Sequence, residues 1–128
     1  MRKFIVMILL SIVSYSAMAE WVMASSSSRA TYYVDPSTVR KKGHLVKMWL
    51  LNDYKAFQES QYGKYKSTKG QEEFDCNEEQ SRLLTLSTYA EGMGAGETIN
   101  MIEDISRWRP VAPSSAGEAI WKFACGVK

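Results

Sequence analysis

The sequence holds one histidine, two cysteines and three prolines, and after Val13 no second apolar run of the same length follows. Each shortage removes a class of function. With His44 alone, any Ser-His-Asp or Cys-His arrangement must be built around that residue, and a metal site gets at most one imidazole. His44 follows Gly43 at a predicted hairpin tip. It reads as a solvated turn residue, without the buried orienting partner that catalysis requires. An excess of one charge is missing too. The chain has 16 basic and 14 acidic residues, but Arg2 and Lys3 sit in the first segment, and without them the balance is 14 against 14. A nucleic-acid binder normally shows a surplus of Lys and Arg, so that function is disfavoured. No residue pattern calls for a cofactor.

What is present begins with an export signal. Arg2 and Lys3, the apolar run 4–13 and the small residues ending Ala17-Met18-Ala19 predict a signal peptide over residues 1–19, cleaved before Glu20. Ten apolar-rich residues fall short of the roughly 20 needed to span a bilayer core, so no membrane span is expected after signal removal. No cysteine lies near the cleavage point for lipid attachment. Residues 20–128 then suit one small domain, a size at which exported proteins often add a disulfide. Pairing Cys76 with Cys125 would close a loop of roughly 50 residues and contribute about 4 kcal/mol. An intermolecular bridge or a reactive thiol is the alternative.

Along this domain the pattern is mostly strand. Residues 20–24 and 31–34 read as short strands separated by the serine run 25–28. Asp35-Pro36-Ser37-Thr38-Val39 predicts a tight turn or one helical turn, and Arg40 to His44 a polar hairpin tip. Residues 45–51 are apolar on both faces except at Lys47, as in a central strand. Residues 52–70 predict a long connection or a ragged hairpin. In Gln71 to Cys76, alternation turns Phe74 and Cys76 inward with Glu72, and Gln71, Glu73 and Asp75 outward. After a turn at 77–80, residues 81–89 form a strand with Arg82, Leu84 and Leu86 on one face, paired through a glycine-rich turn at 91–96 with a strand at 97–101. Residues 108–113, broken by Pro110 and Pro113, are irregular. Ser115-x-x-Glu118 starts a helix with Ala116, Ile120, Phe123 and Ala124 on its apolar stripe, widened by Trp121 and Cys125, and Gly126 ends it. The expected class is α+β: an antiparallel sheet or sandwich-like domain of about six strands, with one C-terminal helix packed on a sheet.

Three constellations invite a function. The acidic residues Glu72, Glu73, Asp75, Glu78 and Glu79 lack the spacing and central glycine of a calcium loop, so no metal is assigned. A structural ion pair between Arg82 and either Glu72 or Glu73 is expected instead, because an unpaired buried charge is costly. The glycines 92, 94 and 96 precede a strand and not a helix, and read as a hairpin turn, not a phosphate cradle. Finally, Tyr54, Lys55, Phe57, Tyr62, Lys64, Tyr65, Lys66 and Lys69 interleave aromatic rings with lysines. Such a surface suits protein binding, and equally an edge hairpin whose lysines discourage aggregation.

Several ordered pieces carry a resemblance: Thr31 to Arg40, Val46-Lys47-Met48-Trp49, Tyr54-Lys55, Gln71 to Cys76 with Arg82, Met93-Gly94-x-Gly96-Glu97, Trp108-x-Pro110-Val111-x-Pro113 and Gly117 to Gly126. In this order they resemble the surface-adhesin protein E family of exported proteins of Gram-negative bacteria. The resemblance implies a small antiparallel β domain whose C-terminal helix is tied down by a Cys76–Cys125 disulfide. It also implies a non-enzymatic protein-binding role, since the family is named for an adhesin of host extracellular-matrix and serum proteins such as laminin and vitronectin. The chain departs from the adhesin type in having no lipid-attachment cysteine, so the periplasm stands beside the cell surface as a location. The partner is then a host protein or another envelope protein, and a homodimer is compatible with the sequence.

Overall fold

The computed structural model of the chain describes residues 20–127, so the predicted signal peptide lies outside the described residues. The elements are β1 (Val22–Ser26), β2 (Ala30–Lys42), β3 (Leu45–Ser60), β4 (Gly63–Asp75), β5 (Gln80–Tyr89), β6 (Thr98–Ile102), β7 (Arg109–Pro110) and α1 (Ala116–Cys125). All seven strands belong to one antiparallel sheet. Strands β1 to β6 pair in chain order, and β7 adds to β5 opposite Gln80 and Ser81. Residues 108–113 are thus irregular apart from this bridge.

Several strands outrun their sequence signals because side chains stitch over the irregularities. Residues 35–39 form no helical turn; they are a bulge inside β2, where the register jumps from Asp35 opposite Trp49 to Arg40 opposite Lys47. Asp35 accepts from the amide and hydroxyl of Ser37 (3.0 and 2.6 Å). The Thr38 hydroxyl donates to the Asp35 carbonyl and accepts from the Trp49 amide at 2.9 Å, replacing a backbone acceptor that the bulge removes from the ladder. Pro36 is tolerated there because a bulge asks nothing of its missing N–H. At the chain start, Ser25 and Ser26 extend β1 instead of leaving it. Residues 52–70 are a long hairpin of β3 and β4, interrupted by a second bulge between Asp53 and Gln58.

Register partners share a face of a sheet. Val34 lies opposite Leu50, and Val46 opposite Phe74. Together with Met48 these side chains form the floor on which Ile120, Trp121 and Ala124 of α1 pack. The alternation of Val46, Met48 and Leu50 with exposed Lys47 builds this one-sided core. Leu51 is fully buried on the other face, with Tyr33 and Lys69 as register neighbours.

The helix starts where its capping residue predicts: the Ser115 hydroxyl accepts from the Glu118 amide at 3.1 Å. Gly126, at φ 69°, ends it. Glu118 and Lys122 make an i,i+4 pair at 3.4 Å. The buried stripe is rotated relative to the sequence expectation, and Phe123 is exposed. Two anchors on the other side of the helix cause this. The Trp121 indole donates to the Asp75 carbonyl at 3.0 Å, and Cys125 is bonded to Cys76 across a Cα separation of 5.7 Å. Both anchors lie at the end of β4, so α1 turns its Trp121 and Cys125 side toward the sheet.

Candidate functional site

The aromatic and lysine residues of the β3–β4 hairpin divide into two groups. The turn at residues 61–62 is closed by Ser60, whose hydroxyl accepts from the Tyr62 amide and donates to the Gly63 carbonyl. Beyond the second bulge, Tyr54 and Tyr65 meet edge to face with centroids 5.9 Å apart, and the Lys66 ammonium lies 5.5 Å from the centre of the Phe57 ring. Phe57 and Tyr62 are each 59% exposed, and Lys55 and Lys64 are exposed beside them. Burial, then the neighbouring Tyr65, raise the Tyr54 phenol above its usual range, so it stays neutral and available for hydrogen bonding. Lys69 does not join this cluster. It stacks 5.0 Å over Tyr89 on the face opposite the helix, beneath Gly94, where an added Cβ would collide with the lysine stem. The bulge explains the gathering, because four residues, 54–57, are set against Lys66 alone, three more than a regular ladder would hold. Phe57 belongs to the surface as fully as the tyrosines do, and its place in the same aromatic run is the signal for it.

The glycine-rich turn that covers Lys69 is held from below. The Ser67 hydroxyl donates to the Glu91 carbonyl at 2.5 Å and accepts from the Gly94 amide at 2.8 Å, and Asp53 accepts from the Met93 amide at 3.0 Å. Met93 and Gly94 both adopt positive φ, the conformation a tight turn needs. Those amides are therefore occupied by the protein's own acceptors and do not form a phosphate cradle.

On the same face, nearer the β2–β3 turn, Arg82 donates from Nε and Nη2 to one oxygen of Glu73 at 2.9 and 2.6 Å. Trp108 lies over the guanidinium at 4.5 Å. The Glu73 side chain is 7% exposed. Glu73 also lines an open groove of about 470 Å3 with Arg40, Lys41, Lys42, Leu45 and Lys47. Glu72 points the other way. Its register neighbours are Met48 and Leu83, and no ion pair or hydrogen bond reaches it among the described residues. Burial raises its carboxyl to about 7.

His44 is 3.7 Å from Asp75, whose other oxygen accepts the amides of Asn77 and Glu78. Among the described residues no serine hydroxyl bonds to the imidazole, and both cysteines are in the disulfide, so within them no nucleophile is bonded to this pair. No group of three or more His, Cys, Asp or Glu side chains among the described residues is placed to hold a metal ion. Among those residues no helix is long and apolar enough to cross a membrane. What the surface offers is contact area and charge.

Residues 21–126 match the sequence profile of the family described as surface-adhesin protein E. The chain belongs to that family. Haemophilus influenzae protein E superposes on it with a TM-score of 0.60 at 11% identity, over 80% of this chain and 88% of that one. Protein E from non-typeable Haemophilus influenzae gives 0.61 at 10% identity, over 88% and 79%. A further crystal form of protein E gives 0.56 at 12%, over 80% and 91%. At such identities the likeness to protein E is one of fold: the antiparallel sheet and the C-terminal helix. No curated protein matches the chain by sequence. Membership in the surface-adhesin protein E family places the chain among adhesin-like bacterial surface proteins.

Proposed function

We propose that this chain is an exported, non-enzymatic protein-binding domain that engages its partner through the tip of the β3–β4 hairpin. The observation that carries this reading is the pair of mostly exposed rings toward that tip, Phe57 and Tyr62, on a hairpin braced lower down by the Tyr54–Tyr65 pair. Aromatic rings on a hairpin closed by a tight turn supply contact area at little cost in conformational entropy, and Lys55, Lys64 and Lys66 add charge to the same segment. The disulfide and the Trp121 anchor hold the helix on the sheet, so the hairpin projects from a rigid base. Family likeness favours a host matrix or serum protein as the partner.

Affinity capture with the mature wild-type protein and a Phe57→Ser/Tyr62→Ser/Lys64→Ser variant tests the surface. Partners recovered by the wild type should be depleted at least tenfold on the variant, and equal recovery would discard the hairpin as the binding site. A second reading, a periplasmic accessory domain acting on another envelope protein, is favoured by the absence of a lipid-attachment cysteine near Ala19. Protease added to intact cells separates the two: digestion of the protein supports the adhesin reading, and complete protection with digestion only after lysis supports the periplasmic one.

A further inference from the structure

The helix covers one part of its face of the sheet and leaves another open. Beyond it, Leu50, Asn52, Thr68, Gly70, Glu72, Leu83 and Leu86 line a cleft of about 200 Å3. Gly70 forms its floor, because a Cβ there would stand 2.8 Å from the Thr85 carbonyl and 3.3 Å from methyl groups of Leu83 and Leu86. Three leucines make the walls, and Glu72 supplies the only charge. The contrast with its sequence neighbour is informative: Glu73 receives two hydrogen bonds from Arg82, while Glu72, between Met48 and Leu83, receives none among the described residues. At the Thr68 end, the hydroxyl of its register partner Thr88 is buried without a hydrogen-bond partner. A second, smaller cleft adjoins Glu72 and includes Ser81, Arg82, Ser106 and Arg109. Arg82 is committed to Glu73, the Ser106 hydroxyl accepts the Leu83 amide, and Arg109 is exposed and makes no ion pair with Glu72.

A half-buried carboxylate without a counter-ion, at the base of an apolar slot, is costly to leave empty and complementary to a cation on an aliphatic stem. We infer that this cleft is a binding site for one lysine side chain of a partner protein, with Glu72 as the counter-ion and Leu50, Leu83 and Leu86 around the methylene stem. Lysine suits the slot better than arginine, because a single carboxylate in apolar walls matches a point charge on four methylenes, whereas a guanidinium needs several acceptors in its plane. The desolvation that raises the empty Glu72 to about 7 gives the site a pH dependence. A bound ammonium stabilises the ionised carboxylate and lowers that midpoint, so binding strengthens as pH rises through 7 and weakens below it. The charged groups that line the adjoining cleft with Glu72 are Arg82 of β5 and Arg109 of β7.

For its occupant the cleft rests on the protein-binding reading, but a small probe addresses the cleft by itself. The probe is n-hexylammonium, compared with n-hexanol, followed by the methyl resonances of Leu83 and Leu86 and by the carboxyl carbon of Glu72. Hexylammonium should shift those methyls to saturation at pH 8.5, bind at least tenfold more weakly at pH 5.5, and outcompete hexanol at least tenfold. Glu72→Gln should lose at least tenfold in affinity, and the Phe57→Ser/Tyr62→Ser/Lys64→Ser variant should keep full affinity. Equal binding of hexanol, or Glu72→Gln within twofold of wild type, would overturn the assignment. Should Glu72→Gln fail to fold, the wild-type titration decides: saturating hexylammonium must lower the Glu72 midpoint by at least one pH unit, and an unchanged midpoint refutes the site. Because the hairpin variant keeps the cleft, failure of the hairpin in affinity capture and failure of the cleft toward the probe are separate results.

Discussion

Replacing Arg82 by alanine should destabilise the fold by about 3 kcal/mol. The reasoning starts from Glu73, whose side chain is 7% exposed and whose Oε1 receives both guanidinium bonds, at 2.9 and 2.6 Å. Removing one partner of a buried pair typically costs about 3 to 5 kcal/mol, since the other charge stays behind without compensation. Arg82 is itself 29% exposed, so water reaches Glu73 in the variant and the cost lies at the low end of that range. Loss of the contact with Trp108 at 4.5 Å adds about 0.5 kcal/mol or more. The opposite change, Glu73→Gln, leaves a half-exposed cation that solvent can hydrate and should cost only about 1 kcal/mol. The double variant should then be more stable than Arg82→Ala alone, with a coupling of about 1.5 kcal/mol or more. Urea unfolding of the four proteins, followed by tryptophan fluorescence at fixed pH and salt, reads these values. An Arg82→Ala loss below about 0.5 kcal/mol would refute the structural role of the pair. A double variant whose loss equals the sum of the singles would do the same.

Three further outcomes follow from the same packing. Converting Cys76 and Cys125 to serine should cost about 4 kcal/mol, because the bridge spans a sequence separation of 49 residues; an unchanged melting temperature would contradict that. Glu72 binds its proton more tightly folded, near 7, than its ordinary 4.5, so the folded state holds a proton that the unfolded chain has released between those values. Stability should therefore fall as pH rises from 4.5 to 7 and level off above, by up to about 3 kcal/mol from this group, and Glu72→Gln should flatten the slope in urea titrations across that window. Phe123→Ser, at the 39%-exposed edge of α1, should cost less stability than Trp121→Ser, and the reverse order would mean that the helix is rotated from the position described.

The elements most legible in the sequence were those set by simple periodicity. Residues 45–51 read as a central strand, alternation in 71–76 turned Phe74 and Cys76 inward, and the Ser115 cap and Gly126 stop bounded the helix; that Val46, Met48 and Leu50 share the face of Phe74 came from the register. Irregularities were not legible, because a bulge leaves no periodic trace and inverts every face beyond it. The register shift between Gln71 and Glu72 leaves Leu84 unpaired, so Leu83 joins Leu86 on the helix face while Arg82 turns to the opposite one. Plain alternation had grouped Arg82 with Leu84 and Leu86. For that reason Arg82 meets Glu73, and Glu72 is left alone in its cleft. The bulge at residues 54–57 had the same effect on the candidate surface: Tyr54 meets Tyr65 and Phe57 meets Lys66 there, whereas Lys69 lies beyond it against Tyr89. The Phe123 error has a different origin, since the apolar stripe is wide enough for two rotations and the anchors at Trp121 and Cys125 select one.

The central claim is that the hairpin tip is a protein-binding surface. Biolayer interferometry of the mature protein against the partner recovered in affinity capture, with the Phe57→Ser/Tyr62→Ser/Lys64→Ser variant alongside and circular dichroism to show that both are folded, tests it most directly. The account predicts saturable binding of the wild type and a loss of at least tenfold in the variant. Wild-type binding that the folded variant retains undiminished would contradict it.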